Sequence, residues 1–322
     1  MPCEACEKAA GCEDMKITNR NNEQVTIRFE DQDAMPVGMS MEEFLVMSDC
    51  FKASIGPVAK KLVTGLDAPG TLALGKAVLK SMLRQSNNDE KEFIRRRIME
   101  QGNAKERIGR MRVAVIGYRG QTSRIRFSPR LFSLLTQVFV RNQYDINEAN
   151  VRGKTIVDVG ANIGDFSLMC ACLGAGRVYA FEPVEKNYRE LVDNIAENGW
   201  KNVIIPVNAG LGDKKERIRV EEETLMGTAS PDAPLVEVVR LDDYLQENGI
   251  GRIDFLKMDV EGYEENVLLG ARGAIARDKP VLSFSAYHKP TDMKRLPQVV
   301  REIRADYRIR LNRYAELDFY CD

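Results

Sequence analysis

The chain has 322 residues, 44% of them hydrophobic and 30% charged, with a formal net charge of −1. That is enough apolar material for a full core and enough length for more than one domain. The near-neutral balance excludes a global field that would commit the protein to nucleic acid or to anionic membranes. No run reaches membrane-spanning length, and the start, Met1-Pro2-Cys3-Glu4-Ala5-Cys6, is acidic and polar where a signal peptide is basic and then apolar. A cytoplasmic protein is expected.

Residues 1–22 are polar and end in Asn19-Arg20-Asn21-Asn22, which predicts a flexible tail. Seven cysteines, an odd number spread over a long chain, suit reduced thiols. Cys3, Cys6 and Cys12 lie close in sequence, but a closed zinc site needs four ligands and no fourth Cys or His is near, so unligated thiols are expected. Gln24 to Glu30 alternates as one peripheral strand. From Ser40, an N-cap ahead of Met41-Glu42-Glu43, the pattern turns helical, with further helices at 54–66, 71–86 and 89–101. Residues 23–110 therefore read as a helical accessory region whose apolar faces need a partner, a homodimer through these helices being one solution.

Met111 to Tyr118 and Ser123 to Phe127 flank Arg119-Gly120-Gln121-Thr122 as a β-hairpin, and a lead-in helix is predicted over 130–150. Twelve basic residues against three acids fall between 91 and 130. That excess suits either an anionic substrate or solvated faces balanced elsewhere. From 151 to the C-terminus β and α signals alternate, which predicts a parallel sheet with helices on both faces. Its strands are expected at 154–159, 177–182, 202–207, 252–258 and 280–286. The last two runs, Tyr307–Leu311 and Glu316–Tyr320, should pair antiparallel at one edge. The stretch 216–240 has strand character at both ends and should extend the sheet or form a hairpin over it.

The most informative stretch is Thr155-Ile156-Val157-Asp158-Val159-Gly160-Ala161-Asn162-Ile163-Gly164-Asp165-Phe166. It reads as a strand, a tight glycine turn and a helix start, where unpaired N–H groups and missing Cβ atoms let a nucleotide-like ligand approach. An acid, Glu182, follows at the end of the next strand, 18 residues past Gly164, placed to accept ribose hydroxyls. A dinucleotide site calls for Gly-x-Gly-x-x-Gly. Here Asn162 holds the middle position and no third glycine follows, so a diphosphate is poorly provided for. S-adenosylmethionine has no phosphate, and the Asp158 carboxylate offers an acceptor for its ammonium group.

An ordered set of motifs then resembles the FkbM family of S-adenosylmethionine-dependent methyltransferases from about residue 125 onward. The set is Val138-Phe139-Val140-Arg141-Asn142-Gln143-Tyr144-Asp145, the Asp158–Gly164 turn, Phe181-Glu182-Pro183, Asn208-Ala209-Gly210-Leu211-Gly212-Asp213, Leu241-Asp242-Asp243-Tyr244 and Leu256-Lys257-Met258-Asp259-Val260-Glu261-Gly262-Tyr263-Glu264. The resemblance implies a Rossmann-like class I methyltransferase sheet, mostly parallel with an antiparallel last strand, over residues 151–322. It implies S-adenosylmethionine as cofactor, with Gly160, Asn162 and Gly164 under its methionine portion. By the same resemblance Glu182 holds the ribose, Asn208 and Ala209 border the adenine, and Asp259 lies near the methyl donor.

Catalysis is assigned to Asp259, Glu261 and the only histidine, His288, at the carboxyl ends of two strands. Asp259, Glu261 and His288 could form a two-carboxylate-plus-histidine metal set, but the resemblance carries no firm requirement and no metal is expected. The expected reaction is O-methylation of a hydroxyl on a sugar, glycan or small metabolite. The alternatives are N- or C-methylation of an anionic or macromolecular acceptor (RNA or protein), nucleic acid being disfavoured by the neutral charge, and a non-catalytic nucleotide-binding scaffold.

Overall fold

The computed structural model describes residues 15–19, 21–29, 112–127, 135–220, 232–312 and 317–322. All belong to one compact unit, and a second unit, residues 32–111 with 128–130, lies outside the described residues. So do the expected helices between 40 and 101 and the cysteines at 3, 6, 12 and 50.

Seven strands make the main sheet: β5 (Thr155–Val159), β6 (Arg177–Phe181), β7 (Ile204–Val207), β11 (Phe255–Met258), β12 (Val281–Ser285), β13 (Ile309–Asn312) and β14 (Asp318–Cys321). Their order is β13-β14-β12-β11-β5-β6-β7, with β7, β6, β5, β11 and β12 parallel and β14 antiparallel to both neighbours. The two final strands thus share one edge of the sheet, with the last one inserted inside it. β11 and β14 are buried along their whole length, and β5 and β12 in all but their first residue. This is why these segments read as apolar runs without alternation. The outer strand β7 is buried only at Ile204.

Among the described residues seven α-helices accompany these strands: α1 (Glu148–Val151), α2 (Asp165–Cys172), α3 (Glu185–Glu197), α4 (Leu241–Glu247), α5 (Glu264–Gly270), α6 (Arg272–Asp278) and α7 (Asp292–Ile303). α4, α5, α6 and α7 bury Leu245, Leu268, Ile275 and Val300 in the same core as Leu256, Leu282 and Phe284 of the central strands. At roughly 1.5–3 kcal/mol per fully buried large apolar side chain, burial of this layer helps hold the helices on the central strands.

Three expectations are corrected. The stretch 135–151 is not one helix: a π-helical turn at Thr136–Val140 is followed by turns and then by α1. Asn142 and Asp145 take positive φ, and the Asn142 side chain accepts from Ile146 N–H (2.9 Å) and donates to Ile146 O (2.7 Å), a local closure that competes with helix. The segment read as tail contains β1 (Met15–Thr18), because its backbone pairs antiparallel with β2 (Gln24–Phe29). β2 in turn has partners on both sides, in the four-stranded sheet β1-β2-β3-β4 completed by the hairpin β3 (Arg112–Tyr118) and β4 (Gln121–Phe127).

That hairpin docks on α3 through side chains that imitate a strand. Asn194 accepts from Arg126 N–H (2.7 Å) and donates to Arg126 O (3.0 Å), and Asn198 does the same with Arg124 (2.7 and 2.6 Å). The stretch 216–240 forms a separate small sheet: β9 (Glu216–Arg219) pairs antiparallel with β10 (Leu235–Val239), which runs parallel to β8 (Gly210–Leu211).

Candidate active site at the carboxyl ends of the parallel strands

The chain leaves β5 through Gly160 at φ 75°, Asn162 at φ 48° and Gly164 at φ 91°. Gly160 cannot be replaced without movement, since a Cβ there would stand 2.0 Å from the Asp259 carbonyl oxygen. Gly160 and Ala161 donate their N–H groups to Phe181 O (3.0 and 2.9 Å), and Asn162 N–H donates to Glu182 Oε2 (2.9 Å). The turn is therefore laced to the end of β6. Asn162 Oδ1 is buried and has no hydrogen-bond partner, an acceptor left over in the turn.

Asp158 is not where a ligand's ammonium group could reach it. Its side chain is fully buried, Oδ1 accepting from Lys257 Nζ at 3.0 Å and Oδ2 from Ser167 Oγ at 2.6 Å. Lys257 Nζ also donates to Gly160 O at 2.8 Å and lies 5.3 Å from the Tyr144 ring centroid. Burial works against the Lys257 charge, but Asp158 and Asp259 outweigh it and raise its pKa above the ordinary value. Asp158 thus acts through Lys257, which fixes the first carbonyl of the glycine turn.

Glu182 is 4% exposed, with Oε1 accepting from Val184 N–H (2.9 Å) and Oε2 from Asn162. Burial pushes its carboxyl up to about 7, against the pull of those N–H donors and of Lys257. Asn208, after β7, donates to Glu182 O at 3.0 Å, and the buried Ala209 follows it. Beside them an apolar pocket is lined by Gly160, Phe181, Pro183, Leu211, Val238 and Tyr263.

Past β11, Asp259 accepts from Tyr144 OH at Oδ2 (2.9 Å), while its buried Oδ1 has no hydrogen-bond partner. Glu261 takes φ 51° and is half exposed, with Oε2 3.2 Å from His288 Nε2. His288, three residues beyond the end of β12, sets Nδ1 2.9 Å from Glu264 Oε1, an oxygen that also accepts from Val260 and Gly262 N–H at 3.3 Å. Its Nε2 is 3.8 Å from Asp259 Oδ1. Burial disfavours the imidazolium, but Glu261, Glu264 and Asp259 override it and push His288 up to about 10. With no cation between these groups, the carboxylates favour the protonated ring.

The structure thus brings together Asp259, Glu261 and His288, and separately Gly160, Asn162, Gly164, Glu182, Asn208 and Ala209, at neighbouring strand ends. Sequence reasoning missed Lys257, Glu264 and Tyr144. Lys257 had a signal, a lone charge inside an apolar strand, since a buried lysine requires a partner. Most of the basic stretch lies outside the described residues; within them Arg119 pairs with Glu23 and Glu148, and Arg126 with Glu197, at the surface.

Comparison with known proteins agrees with this geometry. The family model "Methyltransferase FkbM domain" matches residues 158–309. The 31-O-demethyl-FK506 methyltransferase FkbM of Streptomyces tacrolimicus is 30% identical over 44% of this chain and 68% of its own. Methyltransferase sdnD of Sordaria araneosa is 31% identical, with 42% and 66% covered. The hexuronic acid methyltransferase AglP of Haloferax volcanii is 26% identical, with 48% and 65% covered. The chain therefore spans about two thirds of the length of these relatives. With motif set, sheet order and family match in accord, the chain belongs to the FkbM methyltransferase family.

Proposed function

We propose that the protein transfers a methyl group from S-adenosylmethionine to a hydroxyl oxygen of a sugar, glycan or small metabolite. The observation that carries this reading is the convergence, at the carboxyl ends of β5, β6, β11 and β12, of the glycine turn, the Glu182 carboxylate and the Asp259–His288 cluster. Ligands of open α/β sheets lie there.

The residues suit the cofactor on structural grounds. Glu182 retains lone pairs beyond those used by main-chain donors and can accept both ribose hydroxyls, while Asn162 Oδ1 is an unused acceptor in the turn. Adenine would lie beside Pro183 and Leu211, which line a small apolar pocket, with Asn208 and Ala209 as its expected neighbours. Bound there, the cofactor would supply a methyl group on a positively charged sulfur. The chain's own part is to hold the acceptor oxygen in line with that methyl and to take up its proton. Asp259 and Glu261 are the proton acceptors, and His288, held at Nδ1 by Glu264, orients them and the acceptor oxygen. The oxygen-linked and hexuronic acid substrates in two relatives' names support this acceptor class.

The test is to incubate the protein with methyl-labelled S-adenosylmethionine and a panel of glycosides, uronic acids and hydroxylated metabolites. Label should appear as a methyl ether on a hydroxyl oxygen. Label found only on nitrogen or carbon would overturn the acceptor assignment.

A further inference from the structure

Among the described residues, three buried side-chain atoms without a hydrogen-bond partner belong to one cluster: Asp259 Oδ1, Glu264 Oε2 and His288 Nε2. Ligand atoms of Asp259, Glu264 and His288 lie within 4.8 Å of one another. Such orphans are costly where nothing satisfies them. Glu264 is 1% exposed, and the His288 side chain 4%.

We propose that this cluster is a divalent-cation site, with Asp259 Oδ1, Glu261 Oε2 and His288 Nε2 as ligands and Glu264 as the carboxylate that orients the imidazole. His288 Nε2 is 3.2 Å from Glu261 Oε2 and 3.8 Å from Asp259 Oδ1. Neighbouring ligands around an ion bound at about 2.0–2.2 Å stand roughly 3.0–3.5 Å apart, so small side-chain movements complete the set. The other ring nitrogen is already engaged, Nδ1 lying 2.9 Å from Glu264 Oε1. A metal-bound histidine almost always has such a carboxylate behind it. Tyr144 OH occupies Asp259 Oδ2 and so leaves Oδ1 as the available oxygen.

Charge points the same way. Three carboxylates surround a single imidazole, and the nearby Lys257 ammonium is committed to Asp158 and to Gly160 O. One nitrogen and two carboxylate oxygens suit a borderline or hard ion such as Mn2+. Its use in catalysis, polarising the acceptor hydroxyl, rests on the methyltransferase reading; binding itself does not.

The experiment is titration of Mn2+ into chelator-treated protein, followed by calorimetry and by the electron paramagnetic resonance signal of free Mn2+. Mn2+ is chosen because soft thiolates such as the N-terminal cysteines do not select it. One saturable site per chain is expected, weakened about 10–100-fold in Glu264→Gln and at least as much in Asp259→Asn and His288→Gln. Glu261→Gln, at a half-exposed position, should weaken binding with the fold intact by circular dichroism. Absence of saturable binding, or binding unchanged in the folded Glu261→Gln variant, would overturn the site. Mn2+ binding without methyl transfer would keep the site and reject its catalytic use.

Discussion

Lys257 Nζ stands 3.0 Å from Asp158 Oδ1 and 2.8 Å from Gly160 O, so one buried cation ties two adjacent strands to the glycine turn. Removing only the cation leaves a carboxylate with no charge partner at a fully buried position. Lys257→Met should therefore lower unfolding free energy by roughly 3–5 kcal/mol in urea denaturation. Asp158→Asn with Lys257→Met should recover much of that loss. A single variant as stable as wild type would mean that the pair contributes nothing.

The close approach of Gly160 to Asp259 O gives a second expectation. Gly160→Ala meets both a positive φ of 75° and a carbonyl oxygen 2.0 Å from the new Cβ, whereas Gly249 (φ 64°) has nothing within 4 Å of its Cβ position. Backbone strain alone should cost about 1–3 kcal/mol at either site. Gly160→Ala should be clearly the more destabilising in parallel melts, and the excess measures the clash. Equal losses would show that the turn moves freely away from Asp259.

Glu182 is raised by burial to about 7 and Asp165, on α2, to about 6. Both groups hold protons in the folded chain at pH values where the unfolded chain has released them. Their contribution to stability is thus full at acid pH and declines as pH rises from the unfolded carboxylate range toward 7. Other carboxylates with lowered values, such as Asp278 and Asp322, work in the opposite sense, so the informative quantity is a difference. The stability of Glu182→Gln relative to wild type should increase between about pH 5 and pH 7.5. A flat difference across that window would contradict the assignment.

Much of this was legible in the sequence for physical reasons. Strands buried on both faces, such as Thr155–Val159, announce themselves as β-branched apolar runs, and the glycines of the turn are forced by conformation. What was not legible depends on pairing across distance. Asp158 looked like a ligand contact because nothing local reveals that Lys257, 99 positions later, neutralises it. The 130–150 segment looked helical because the Asn142 side chain's closure onto Ile146 carries no periodic signature. Glu264 closed a motif without a role of its own, and only the fold places His288 against it.

His288 reaches three carboxylates but none of the groups assigned to the adenosine portion. His288→Ala should lower turnover by about 10²-fold, the cost of losing the group that orients Asp259, Glu261 and the acceptor oxygen. Cofactor affinity should change little. Steady-state rates measured beside direct binding separate the two. Turnover equal to wild type would remove His288 from the chemistry.

The central claim is that S-adenosylmethionine binds where β5 meets α2, with its ribose on Glu182. Calorimetric titration of S-adenosylmethionine into wild-type protein and Glu182→Ala tests it most directly. One site per chain is predicted, weakened in the variant by about 1.5–3 kcal/mol, the range for hydrogen bonds to a charged group, or roughly 10–150-fold. No binding to wild-type protein, or equal affinity in both, would contradict it.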